Sequence, residues 1–354
     1  MKRWTIVVGL ALSFALGATF VSRTTTGLRL RHAVQLWLVR VASVADFEIE
    51  RVGRVRMFLN PQDSVVTRGI MADGVWEENE THWFTRFVGP GDTVIDIGAN
   101  VGYYTVLASQ LVGDQGRVYA FEPEPTAFAL LEQNVRVSGA RNVVLEQKAV
   151  SNENGTLQLF LAAVNKGDHR IYQTDDRAAI DVEAVRLDDY LAGIGGAIDF
   201  VKIDTQGAEA LIIAGMDDTI RDNPGIVMAV EFSPQALQEL GTSGEEFLAR
   251  LRAHDFRMFD LGPGMPGIMD LREVTPEGLI KGYAPDRWPF TNILLLKGFN
   301  ELRRLTWDAE SKRRALEKEV ARGRPESQRV RDARAVLTLA EAALVEYRDS
   351  PVPR

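Results

Sequence analysis

From residue 92 onward, short runs rich in β-branched and aromatic residues alternate with longer runs of helical period. The pattern predicts strands at Thr93–Ile97, Arg117–Phe121, Asn142–Gln147, Ala197–Ile203, Ile226–Glu231, Arg257–Leu261 and Asn292–Lys297. Helices are predicted over 101–112, 125–138, 208–222 and 244–254; Ser243 with Glu246 three residues on is a capping box that starts the last. Such alternation implies an α/β fold: a mostly parallel sheet of seven strands with helices on both faces. Its ligands sit beyond the carboxyl ends of the strands.

The flanks read differently. Lys2 and Arg3 precede an uncharged stretch from Trp4 to Val21, eighteen residues, which as a helix spans about 27 Å, enough for a hydrocarbon core. Residues 1–22 are therefore predicted to be a single-pass N-terminal membrane helix, with a cleavable signal peptide as the rival reading. Arg23, Arg29, Arg31 and Arg40 follow it, a basic excess that places the bulk of the chain on the cytoplasmic side. Within residues 23–64, a basic linker, Leu30, Val34, Trp37, Leu38, Val41 and Val44 recur at helical spacing. That helix either lies on the membrane surface or packs on the domain. At the other end, Val330, Ala333, Leu337, Ala340, Leu344 and Tyr347 form a heptad seam, and Leu302, Leu305, Ala309 and Leu316 share its period. Gly323 and Pro325 divide the two, so residues 301–354 are predicted to form a helical hairpin that pairs between subunits, giving a homo-oligomer, or packs on the domain. The main domain is left with residues 65–300.

Composition narrows the chemistry. The 354 residues include no cysteine, which excludes disulfides, thiolate metal sites and a cysteine nucleophile. The formal net charge is −8, but residues 61–300 carry 19 Lys/Arg against 36 Asp/Glu. A nucleic-acid groove is not expected on so acidic a domain.

The first predicted strand runs into Asp96-Ile97-Gly98-Ala99-Asn100-Val101-Gly102-Tyr103-Tyr104. Gly98 and Gly102 permit a tight turn and close backbone approach to a ligand, and the following helix offers unpaired N–H groups. The second strand ends in Phe121-Glu122-Pro123, which puts a carboxylate where a ribose diol would lie. The dinucleotide fingerprint G-x-G-x-x-G is absent.

These segments, with Val201-Lys202-Ile203-Asp204-Thr205-Gln206-Gly207-Ala208-Glu209, resemble the FkbM-type methyltransferases, a branch of the Rossmann-like class I fold that uses S-adenosylmethionine. The resemblance covers roughly residues 65–300. It implies that Asp96, Gly98, Asn100 and Gly102 cradle the methionine part of the cofactor, that Glu122 holds the ribose hydroxyls, and that Gln147 to Ser151 flank the adenine. Gly74-Val75-Trp76-Glu77 resembles a glycine-aromatic-glutamate segment of the family, which makes Glu77 a cofactor neighbour; the rival reading is a solvated acid in a run with Glu78 and Glu80.

Methyl transfer to a hydroxyl needs a general base, and Asp204 and Glu231, at neighbouring strand ends, are the candidates, Asp204 first. The alternative reading is that the two carboxylates hold a divalent cation that orients a diol; no third ligand is evident, so no metal site is assigned. His169 lies in a polar stretch that either overhangs the site or is a solvated loop, and His82, just after Glu77 to Thr81, either approaches the cofactor mouth or is solvated; His32 and His254 are read as structural or surface residues. The stretch from Gly262 to Pro289, with five Pro and five Gly, is expected to form a loop over the acceptor pocket, where Tyr283, Trp288 and Phe290 stack on an acceptor or simply pack the loop down. The acceptor is expected to be a carbohydrate or other small metabolite, free or as a lipid-linked glycan. Two alternatives remain at this stage: a nicotinamide-dependent oxidoreductase, and a membrane-tethered scaffold that binds the cofactor without turnover.

Overall fold

The computed structural model describes residues 43–60, 63, 65–162, 165, 167–173, 177–262, 272–283 and 290–297, with isolated positions between 316 and 342. The chain divides into two compact units, Met1–Leu295 and Leu296–Arg354. In the second, Leu316 and Leu337 are helical and Leu337 is buried; the other seam positions lie outside the described residues. The predicted membrane helix lies outside them too, and among the described residues no helix is long and apolar enough to cross a membrane.

In chain order the first unit begins with β1 (Ser43–Ile49), β2 (Gly53–Leu59), α1 (Val66–Asp73) and α2 (Glu78–Phe87). It continues through β3 (Thr93–Ile97), α3 (Tyr103–Val112), β4 (Arg117–Phe121), α4 (Pro125–Ser138), β5 (Val143–Glu146), β6 (Ala149–Ser151), β7 (Gly155–Phe160), β8 (Ala179–Arg186) and α5 (Leu187–Leu191). Then come β9 (Phe200–Ile203), α6 (Glu209–Ala214), α7 (Asp217–Asp222), β10 (Val227–Phe232), α8 (Pro234–Glu239), α9 (Gly244–Ala253), β11 (Phe256–Gly262), β12 (Arg272–Val274), α10 (Pro276–Gly282) and β13 (Thr291–Lys297).

All seven predicted strands exist and lie in one sheet of order β12-β11-β13-β10-β9-β3-β4-β5. The eighth, β12, pairs antiparallel with β11 and lies inside the Gly262–Pro289 stretch, which is thus not a continuous loop. Parallel pairing joins β3 to β4 and β9, β4 to β5, and β9 to β10. Strands β9 and β10 are buried at every position, as expected when helices cover both faces. Ile95, Ile97, Val201, Ile203, Met228 and Val230 belong to one core cluster. From β3 the chain builds outward through β4 and β5, then returns to β9 on the other side of β3. That reversal opens a crevice at the carboxyl end of β3.

Two departures matter for the site. The predicted helix over 208–222 is broken into α6 and α7 around Gly215, where a Cβ would lie 2.1 Å from the Ser151 carbonyl oxygen; strand β6 presses on the helix there. Residues 43–59 form an antiparallel hairpin rather than part of a helical linker, and Val44, assigned to the amphipathic run, lies in strand β1. The buried Asn134 of α4 fastens the hairpin: its side chain accepts from Phe58 N at 2.6 Å and donates to the carbonyls of Phe58 and Val101 at 3.0 and 2.7 Å. The hairpin is thereby tied to the turn after β3.

Candidate active site

A cavity of about 770 Å³ opens at the carboxyl ends of β3, β4, β9 and β10. Its floor is the turn after β3. Gly98 has φ +81°, and a Cβ on it would meet the Asp204 carbonyl oxygen at 2.0 Å, so only glycine lets this turn lie against the end of β9. The N–H groups of Gly98 and Ala99 both donate to the Phe121 carbonyl at 3.0 Å, stitching the turn to β4. Gly98→Ala is therefore expected to lower folding stability by ~3 kcal/mol or more through strain plus overpacking, read as a fall in thermal midpoint.

Glu122, 6% exposed, is held on the other rim. Its two oxygens accept from the backbone N–H of Asn100 and Glu124, each at 2.8 Å. Burial raises its pKa to about 8 against the pull of those two donors. A carboxylate that accepts two hydroxyls must be ionised, so binding of a ribose below pH 8 expels a proton. Affinity for S-adenosylhomocysteine should accordingly fall as pH drops through 8, by up to about tenfold per unit, with proton release on binding near neutrality. Calorimetry in buffers of different ionisation enthalpy measures both, and pH-independent affinity between 6 and 9 would refute the assignment.

The far side of the cavity is acidic. Lys202 Nζ, buried, lies 3.0 Å from Asp204 Oδ2, 3.5 Å from Glu80 Oε1 and 4.6 Å from the centre of the Tyr104 ring. Burial works against its charge, but Asp204, Glu80, Glu77 and Asp96 outweigh it and hold the ammonium's pKa well above the usual value. Gln206, at φ +56°, donates through Nε2 to Glu231 Oε1 at 3.0 Å and to Asp204 Oδ1 at 3.5 Å. Glu231 Oε2 is buried without a hydrogen-bond partner. Burial, then the charges of Asp204, Glu209 and Glu77, push the Glu231 carboxyl well above the normal range. Glu77 sits in a left-handed turn at φ +45°, accepting from Tyr104 OH and Asn292 Nδ2, each at 3.3 Å; burial and Glu80 raise its pKa strongly. Asp96 accepts from Thr105 Oγ1 at 2.5 Å and is raised by burial.

The predicted residues Glu77, Asp96, Gly98, Asn100, Glu122, Asp204 and Glu231 all line this one cavity. Two do not. A Cβ at Gly102 would meet Leu131 Cδ1 at 2.6 Å, so this glycine lets α3 pack against α4. Ser151, expected beside the adenine, faces Gly215 through its carbonyl; Lys148, Ala149 and Val150 line the cavity instead. Glu209 accepts from Thr205 N, Thr205 Oγ1 and Gly207 N, closing the loop that carries Gln206. His169 lines the rim, with Nδ1 accepting from Ala162 N at 3.0 Å, and Phe290 lines it too; His254 pairs with Asp217 at 2.9 Å. Trp288 lies outside the described residues. Glu80 was hidden in sequence by its acidic run; its spacing of three from Glu77, on the start of a helix, places both on one face.

Taken together, the reversed parallel sheet, the glycine turn, the strand-end Glu122 and a cavity rich in carboxylates fit a cofactor that carries a ribose and a positive charge. The buried, unpartnered Glu231 oxygen and the raised carboxyls are groups that a sulfonium would relieve. The protein is an S-adenosylmethionine-dependent methyltransferase. Residues 96–258 match the family described as the Methyltransferase FkbM domain. The 31-O-demethyl-FK506 methyltransferase FkbM of Streptomyces tacrolimicus is 31% identical over 201 residues, 47% of this chain and 73% of that protein. The 2-O-methyltransferase NoeI of Sinorhizobium fredii is 30% identical over 168 residues, 42% of this chain and 67% of that protein. A solved S-adenosylmethionine-dependent O-methyltransferase of Thermotoga maritima overlays with a TM-score of 0.35 at 16% identity, covering 72% of this chain and 77% of that one. The chain belongs to the FkbM methyltransferase family.

Proposed function

We propose that this protein methylates a hydroxyl oxygen of a carbohydrate or other small hydroxylated metabolite, with Asp204 as general base. The observation that carries the reading is the placement of Asp204. It lines the cavity with its side chain 29% exposed, one oxygen fixed by Lys202, the other only loosely engaged by Gln206. The bound cofactor supplies an electrophilic methyl group on a positively charged sulfur. Asp204 Oδ1 takes the acceptor's proton as the acceptor oxygen bonds to the methyl carbon and displaces the sulfur, which departs as a neutral thioether with the bonding electron pair; Lys202 stays on Oδ2 to hold the carboxylate's direction. Glu122 and the glycine turn fix the nucleoside, so that alignment rather than covalent chemistry lowers the barrier. The two relatives named above, a 31-O-demethyl-FK506 methyltransferase and a 2-O-methyltransferase, carry oxygen positions in their names, which favours a hydroxyl over a nitrogen acceptor. A cavity of about 770 Å³ suits small molecules. The uncharged stretch from Trp4 to Val21 favours a lipid-linked glycan at a membrane surface among these acceptors.

Incubation with isotopically labelled S-adenosylmethionine and a panel of hydroxylated acceptors, followed by mass spectrometry, tests the reading. The label should reside in an alkali-stable methyl ether. A label found on nitrogen or carbon would contradict it.

A further inference from the structure

Gln206 lines the cavity, and the proposed reaction gives it no task. It occupies a left-handed backbone conformation at φ +56°, which costs a non-glycine residue of this kind of order 1 kcal/mol or more. The turn is held by Glu209 through three donors, two of them backbone N–H groups of Thr205 and Gly207 on either side of Gln206. This posture aims the amide between two carboxyls on adjacent strands, Glu231 at 3.0 Å and Asp204 at 3.5 Å. Charged and titratable groups face the pair from several elements: Lys202 on β9, Glu209 on α6, Glu77 ahead of α2, Glu80 within α2 and Asp96 on β3. Lys202 is the only cation among these five groups, and it stands on the opposite oxygen of Asp204.

Resting on the proposed reading, we infer that Gln206 is a positioning residue that assigns the two carboxyls different tasks: its neutral amide bridge keeps Asp204 directed into the cavity while Glu231 stands behind it. Two carboxylates this close repel, and a donor shared between them softens that repulsion without adding charge. A carboxyl in place of the amide would remove the donor and add a third acid, raising the proton affinity of the whole group. The device also bears on cofactor charge. An ionised pair attracts a sulfonium and is indifferent to the neutral thioether of S-adenosylhomocysteine.

The test measures affinities of both ligands by calorimetry from pH 5.5 to 9 on the full-length protein, taking their ratio. Contributions from Glu122 and the nucleoside are common to both ligands and cancel. In the wild type the preference for S-adenosylmethionine should rise with pH through one midpoint. Gln206→Glu, nearly isosteric, should move that midpoint up by about one pH unit or more. The double variant Gln206→Glu with Glu231→Gln rebuilds one amide and one carboxyl across the bridge and should return the midpoint to the wild-type value. An unmoved midpoint in Gln206→Glu, or a double variant that stays shifted, overturns the inference. If Gln206→Glu fails to fold, the double variant decides alone, by a wild-type midpoint or a displaced one. Failure of both ligands to bind the folded wild type would instead sink the methyl-transfer reading itself.

Discussion

Replacing Glu122 by glutamine is expected to weaken binding of S-adenosylmethionine and S-adenosylhomocysteine alike, by about 30-fold to 150-fold. Both carboxylate oxygens already accept backbone N–H groups, from Asn100 and Glu124. An amide offers one acceptor and one donor, so its NH₂ must oppose one of those N–H groups and leave it buried without a partner, at about 1–3 kcal/mol. The ribose hydroxyls lose a charged acceptor as well, and hydrogen bonds to charged groups contribute about 1.5–3 kcal/mol. The first cost falls on the free and the bound protein alike and lowers stability; the second falls on binding, and about 2–3 kcal/mol of it gives the stated range. Calorimetric titration of a variant shown by circular dichroism to be folded checks this; an affinity within threefold of wild type would remove Glu122 from the nucleoside site.

Asp204→Asn should behave in the opposite way. It preserves shape and one acceptor, but an amide cannot take a proton from a hydroxyl. Turnover should fall by about 10²–10⁴-fold, while affinity for S-adenosylhomocysteine stays within about threefold. Thermal stability should shift too, because Lys202, 3% exposed, loses its shorter ion pair, 3.0 Å to Asp204, and keeps the one to Glu80 at 3.5 Å; loss of a buried ion's partner is costly. A turnover loss below tenfold would move the base elsewhere.

The parts of this fold legible in the sequence were those where one physical constraint dominates. Parallel strands buried on both faces read as continuous apolar runs, and β3 and β4 were placed to the residue. Gly98 was readable because a positive φ and a close strand leave no alternative to glycine. Gly102 and Ser151 fall outside the cavity lining, and here the sequence announces a glycine or a small residue but not what stands opposite it, which is Leu131 and Gly215. The hairpin of β1 and β2 does carry its own signal, since Phe47, Ile49, Val55, Met57 and Leu59 are buried at alternate positions. An adjacent apolar run of helical period obscured it. The Lys202 cluster was the hardest to foresee. An acidic run such as Glu77 to Glu80 normally faces water, and only the burial of a lysine on the neighbouring strand draws Glu80 inside.

The most direct measurement is equilibrium binding of S-adenosylmethionine to the folded protein by calorimetry at pH 8, with NADH titrated in parallel. Saturable binding of one S-adenosylmethionine per chain and none of NADH is the predicted result. A folded protein that takes up no S-adenosylmethionine would contradict it.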